Sequence, residues 1–220
     1  MKVIMMKKSE ANAICGGLTQ TSKMPCKSYS LPTETCITGF KMSMIEGSIC
    51  SKCYADRGFY SMYAKTIKPA QFARWDSLKD PHWVAAMVAL IGSDRYFRWH
   101  DSGDLQGVWH LIKIVAGANA TPDCLHWLPV REYAFVKQFI AQGGVIPKNL
   151  IVRLSAMYVD KAVKIPASLQ NNPQITASNV HSTANTAPQG EVCKAPAQGG
   201  ECGSCRACWD ATKTISYHVH

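Results

Sequence analysis

The residues best suited to chemistry are the cysteines: ten in a chain of 220 residues. They divide along the chain into Cys15, Cys26, Cys36, Cys50 and Cys53, then Cys124 alone, then Cys193, Cys202, Cys205 and Cys208. The last three form Cys202-Gly203-Ser204-Cys205-Arg206-Ala207-Cys208, two successive Cys-x-x-Cys steps. Two intervening residues let neighbouring thiolates converge on one centre, and ferredoxin-type 4Fe-4S clusters use that run with a fourth ligand from elsewhere. Cys193 supplies the fourth here, and four cysteines equally satisfy structural zinc. Cys36, Cys50 and Cys53 would hold a second 4Fe-4S cluster through three thiolates, leaving one iron open for an exogenous ligand such as S-adenosylmethionine. Cys15 or Cys26 would close that site instead, and a single centre shared between the two ends is the third arrangement. In a reducing compartment such a cysteine surplus reads as metal or redox chemistry, and in a secreted protein as disulfides.

A second constellation is polar and falls at the ends of apolar stretches: His100, Asp101, Ser102 and Asp104; Arg131 and Glu132; Arg153 and Ser155; Ser178, Asn179 and His181. Parallel α/β sheets gather ligands at the carboxyl ends of their strands, so these residues are expected to line one pocket. Asp101 and Glu132 suit acid or base work, His100 a proton shuttle, and Arg131 or Arg153 a clamp on a carboxylate or phosphate. Ser155, Ser178 and His181 are the expected cofactor contacts. The plainer readings are Asp104 as a helix cap, 101–103 as a turn, and Arg153 as a partner of carboxylates inside the fold.

The elements that must position these groups fall in three zones of one domain spanning 1–220. Residues 1–58 are rich in Gly, Ser, Thr, Pro and Cys; 59–182 hold nearly all the periodic pattern; 183–220 return to Pro, Gly, Gln and Cys. In the middle zone, 60–78 reads as two helical pieces divided near Pro69, and 82–91 as a helix stopped by Gly92. Strand-like runs at 95–100, 124–129, 150–155 and 174–178 alternate with helices over 105–118 and 133–142. Strand-helix units about 25 residues apart imply parallel strands joined by crossovers. A full eight-stranded barrel takes about 250 residues, so the expected fold is α/β, a partial or minimal TIM-barrel-like repeat whose cysteine-rich, loop-like ends are organised by metal clusters. His218 and His220 read as a disordered tail.

The formal charge of +9 is compatible with a nucleic-acid partner, although the basic residues are scattered, and two thiolate-ligated centres would reduce it to roughly +5. No apolar run approaches the roughly 18 to 20 residues needed to cross a bilayer, which argues against a membrane partner. Residues 1–8 lack the apolar centre of a secretory signal, so a cytoplasmic location is expected.

The strings Ser28-Tyr29-Ser30-Leu31-Pro32, Cys50-Ser51-Lys52-Cys53-Tyr54-Ala55-Asp56-Arg57-Gly58, Phe97-Arg98-Trp99-His100-Asp101-Ser102-Gly103-Asp104, Trp127-Leu128-Pro129-Val130-Arg131-Glu132 and Cys202 to Trp209 resemble the phage Gene product 88 family. The resemblance runs from about residue 22 to 210; it implies a viral origin and a life inside an infected bacterium, and it brings no activity with it. The shorter Cys-x-x-Cys-Tyr-Ala string is also similar to radical S-adenosylmethionine-like proteins. Together these readings lead to the expectation of a protein carrying one or two 4Fe-4S clusters, acting as a radical or other redox enzyme on a small-molecule substrate. The alternative is a non-catalytic protein, stabilised by iron-sulfur or zinc, that binds nucleic acid or a host protein.

Overall fold

The structure is a computed structural model describing residues 6–219. In chain order the elements are α1 (Lys8–Cys15), β1 (Thr19–Gln20), β2 (Lys27–Tyr29), α2 (Ile37–Ser43), α3 (Gly58–Met62), α4 (Ala64–Ser77), α5 (Trp83–Ile91), β3 (Tyr96–Trp99), α6 (Val108–Ala120), β4 (Leu125–Val130), α7 (Tyr133–Ala141), β5 (Leu150–Ser155), β6 (Ile175–His181), β7 (Glu191–Val192) and β8 (Ile215–His218). They build one eight-stranded mixed sheet in the order β1-β2-β3-β4-β5-β6-β8-β7. Among the described strands β1–β2 pair antiparallel and every other neighbouring pair is parallel.

Alternation along the strands sorts the sheet into two unlike faces. On one, Tyr29, Phe97, Trp99, Leu128, Val152 and Leu154 join Trp83, Met87, Leu111 and Ile114 of the covering helices in a core that excludes water. Those helices present apolar residues at helical spacing, and truncating any one of these large side chains to Ala is worth about 2 to 5 kcal/mol. On the other face, register aligns Arg98 with Trp127, Pro129 with Arg153, and Ser155 with Ser178. Pairing of β3 with β4 ends at Arg98–Trp127, whereas β4 and β5 stay paired as far as Val130–Leu154. Two residues beyond Trp127 stands Pro129, which has no N–H to offer a neighbour.

The expected α/β class holds, but the barrel does not: β1 and β7 are separate edges of an open sheet. At the termini the anchors found are the protein's own side chains. Ahead of β1, α1 buries Ala11 and Cys15 in the core, and the Tyr29 hydroxyl donates to the Cys15 carbonyl at 2.7 Å. At the other end, the completely buried Arg153 donates to the carbonyls of Ala207, Cys208, Asp210 and Lys213 at 2.6 to 3.3 Å, and to Ala177 at 2.9 Å. One guanidinium, with five donors in a planar fork, fixes the loop that metal was expected to hold. His218, expected in a loose tail, is in β8 beside His181 with ring centroids 4.3 Å apart; His220 is outside the described residues. The helical break comes at Tyr63 rather than Pro69, which α4 absorbs. Pro69 and Lys65, whose carbonyl loses its amide partner, are both exposed, so water can replace the missing bond.

Candidate functional site

A cavity of about 590 Å³ opens on the polar face at the carboxyl ends of the parallel strands. Arg98 and His100 come from β3 and its exit, Trp127 and Arg131 from β4 and its exit, Ser155 from β5, Ser178 and Asn179 from β6, and Tyr217 from β8. Its opposite wall is the segment 36–56, including Cys36, Cys50 and Cys53. That wall is tied to the sheet by Glu132, whose carboxylate accepts from the Thr38 amide at 2.6 Å and the Thr38 hydroxyl at 2.7 Å. Glu132 is buried, and these two charge-assisted bonds fix where α2 begins.

The loop after β3 is shaped by backbone constraints. His100 takes a left-handed conformation (φ 52°), uncommon for a residue with a side chain, and the Ser102 carbonyl and hydroxyl bond the Leu31 backbone at 2.8 and 2.9 Å. Gly103, at φ 81°, passes so near Leu31 that a Cβ would lie 2.5 Å from the Leu31 Cβ, which makes glycine obligatory. The turn delivers Asp104 to the cavity with its carboxylate accepting from the Leu105 amide at 2.7 Å and the Arg131 amide at 2.8 Å. Asp104 therefore joins the β3 and β4 exits rather than capping α6, which starts at Val108. Burial pushes its carboxyl up to about 7, with the nearby Glu132 adding to the rise and the two amide bonds opposing it.

Two guanidinium groups face the cavity. Arg131 donates from Nε to the Ala156 carbonyl at 3.3 Å, and among the described residues it forms no ion pair. Arg98 lies over the Trp127 ring, 4.5 Å from its centroid, and donates to the Tyr54 hydroxyl at 3.1 Å. Among the described residues its Nε and the Trp127 Nε1 are buried without hydrogen-bond partners, as are both ring nitrogens of His100 and Oδ1 of Asp101. Burial holds His100 down to about 3, with the Arg98 charge acting the same way, so the imidazole is neutral. Asp101 Oδ2 accepts from the Tyr60 hydroxyl at 2.8 Å.

Of the residues expected at the pocket, His100, Arg131, Ser155 and Ser178 line the cavity, together with Ser102, Asp104 and Asn179. Asp101, Glu132, Arg153 and His181 are buried beside it or beneath it and do not line it. His181 Nδ1 shares a 2.7 Å hydrogen bond with the Ser216 hydroxyl. Arg98, Trp127 and Tyr217 were not anticipated. The signal for the first two was alternation: in β3 and β4 the polar or amphipathic side chains at 98 and 127 share a face opposite Phe97, Trp99 and Leu128.

The metal reading is corrected. All ten cysteines are free thiols, and among the described residues no group of three or more His, Cys, Asp or Glu side chains is placed to hold a metal ion. This overturns 4Fe-4S clusters, zinc, and a cluster-bound S-adenosylmethionine as the cofactors of Cys36, Cys50 and Cys53 or of Cys193, Cys202, Cys205 and Cys208. Short Cys-x-x-Cys spacing permits convergence, but the local backbone decides it. Cys50 and Cys53 begin and follow a single 3-10 turn, while Cys205 is exposed and Cys208 is half-buried against Tyr217, its sulfur 3.2 Å from the hydroxyl. Burial raises the thiols of Cys36, Cys50, Cys53 and Cys202, and takes Cys208 up to about 11, so these free thiols are protonated at neutral pH.

No curated protein matches this chain, and no solved structure does; similarity to radical S-adenosylmethionine proteins accordingly finds no support. A family model described as Gene product 88 matches residues 5–211. With the match covering nearly the whole chain, the protein belongs to the phage Gene product 88 family.

Proposed function

We propose that the protein binds a small molecule carrying an acidic group in the strand-end cavity, with Arg131 as its clamp. The observation that carries this reading is the Arg131 guanidinium, which faces a 590 Å³ cavity without an ion-pair partner among the described residues. A cavity of that size suits a metabolite-sized ligand, and convergent polar groups at strand ends are what fix its orientation. The Ser155 and Ser178 hydroxyls, 3.5 Å apart on adjacent strands, are the neutral contacts near the acidic group. Asp104 supplies a carboxyl that exchanges its proton near neutrality. Glu132 and Arg153 act as positioning residues, the first holding α2 and the second the 207–213 segment, and His181 supports the sheet beneath.

Ribose 5-phosphate, a small phosphate ester, is the probe. Isothermal titration should show saturable binding to the wild type, weakened about tenfold or more in Arg131→Ala, as expected for loss of a charge-assisted hydrogen bond. Absence of binding at millimolar probe, or equal affinity in the variant, would overturn the reading.

A further inference from the structure

The β3–β4 end of the cavity has chemistry that an acidic group alone does not explain. Arg98 Nε and Trp127 Nε1 are two N–H donors left without acceptors although both are buried, and Trp127 is only 5% exposed. Each unmet buried donor costs about 1 to 3 kcal/mol. Neighbouring cavity groups do not supply the acceptors: Arg98 spends its terminal nitrogens on the Met24 sulfur and the Tyr54 hydroxyl, and the Trp127 ring is wedged between Arg98 and the edge-on Trp209, 5.5 Å away. Next to them the His100 ring, 2% exposed and neutral, leaves one N–H and one lone pair unmatched.

The charge here is already compensated in part, because Asp101 interacts electrostatically with Arg98. A second anion would compete with that carboxylate, whereas a neutral acceptor such as a carbonyl satisfies the free donors at no such cost. Register then sets the distance. Arg98 lies opposite Trp127, and Arg131, the residue that follows the end of β4, is four residues beyond Trp127, about 13 Å by strand rise.

We propose that the Arg98–Trp127–His100 end is a second subsite that takes a neutral, planar, carbonyl-bearing ring, so that the ligand runs from there to Arg131 in the manner of a pyrimidine nucleoside monophosphate. The ring carbonyls accept from Arg98 Nε and Trp127 Nε1, the His100 imidazole reads a donor–acceptor edge, and the phosphate lies at Arg131. This deepens the proposed function and rests on it for the acidic end.

The test compares uridine 5′-monophosphate with ribose 5-phosphate on the wild type, Trp127→Phe and Arg98→Lys. The first variant removes one N–H and keeps an aromatic ring; the second keeps the charge and removes Nε. The expected result is wild-type binding of the nucleotide at least about tenfold tighter than of the sugar phosphate, with that advantage lost in both variants and ribose 5-phosphate affinity retained. Equal affinity for the two probes in the wild type, or an advantage that survives both substitutions, overturns the subsite and leaves the Arg131 reading standing. Failure of both probes to bind overturns the two together. Circular dichroism of each variant separates a lost subsite from a lost fold: should one variant unfold, the other decides.

Discussion

At the scale of single residues, burial works against the charged forms of Asp104, His100, His110 and His126, and these groups pull stability in opposite directions with pH. Asp104 has a folded-state value of about 7, above the ordinary carboxylate range, so the folded chain holds a proton that the unfolded chain releases between about pH 4 and 7. Its contribution is complete below pH 4 and is lost as pH rises through 7. His100, His110 and His126 are depressed by burial, so their contribution is complete above about 6.5 and is lost as pH falls below it. Urea denaturation should therefore show the wild type weakening from pH 6.5 toward 4. Relative to it, Asp104→Asn should gain stability as pH rises from 5 to 8, because the amide cannot ionise. A difference between the two proteins that is independent of pH would contradict this assignment.

At the scale of elements, two polar side chains do the holding for which a metal centre seemed necessary. Thr38→Val removes the hydroxyl bond to buried Glu132 and should cost about 1.5 to 3 kcal/mol in chemical denaturation, with faster alkylation of Cys36 as α2 loosens. Arg153→Met removes the guanidinium bonds to five carbonyls, some of which, Lys213 and Ala207 among them, keep another donor; the cost should exceed about 3 kcal/mol, and amide-exchange protection should fall first in residues 207–218. The periodic middle of the chain was legible because each strand and helix there carries its own apolar pattern: α5 and α7 are found within about two residues of where that pattern puts them. The outer elements were not. β1 and β7 are two residues long, too short for alternation to register, and α1 carries only Ala11 and Cys15 as buried residues, with polar side chains around them. Arg153 illustrates the same limit at the site: its position at a strand end suggested a ligand clamp, whereas four of its five partners are carbonyls more than fifty residues away that no local pattern reveals.

At the scale of the whole molecule, the sheet separates a dry, helix-covered face from a polar face bearing the cavity, and the cysteines are spread over both. Native-state thiol labelling should follow that distribution: Cys205, which is exposed, reacts first, and Cys15 and Cys124, buried in the core, react only on unfolding. Uniform protection of Cys193, Cys202, Cys205 and Cys208 would speak against the arrangement found here. The cavity's opening also has a cause that lies in the main chain. Pro129, central in the sheet, has no hydrogen to lend to β3, so the two strands part after Arg98 and Trp127 while β4 stays zipped to β5. The mouth is thus written into the hydrogen-bond ladder itself, and side chains around it are free to vary in size or charge without closing it. The door is hung on the main chain, at the one position of β4 that has no amide hydrogen to close it.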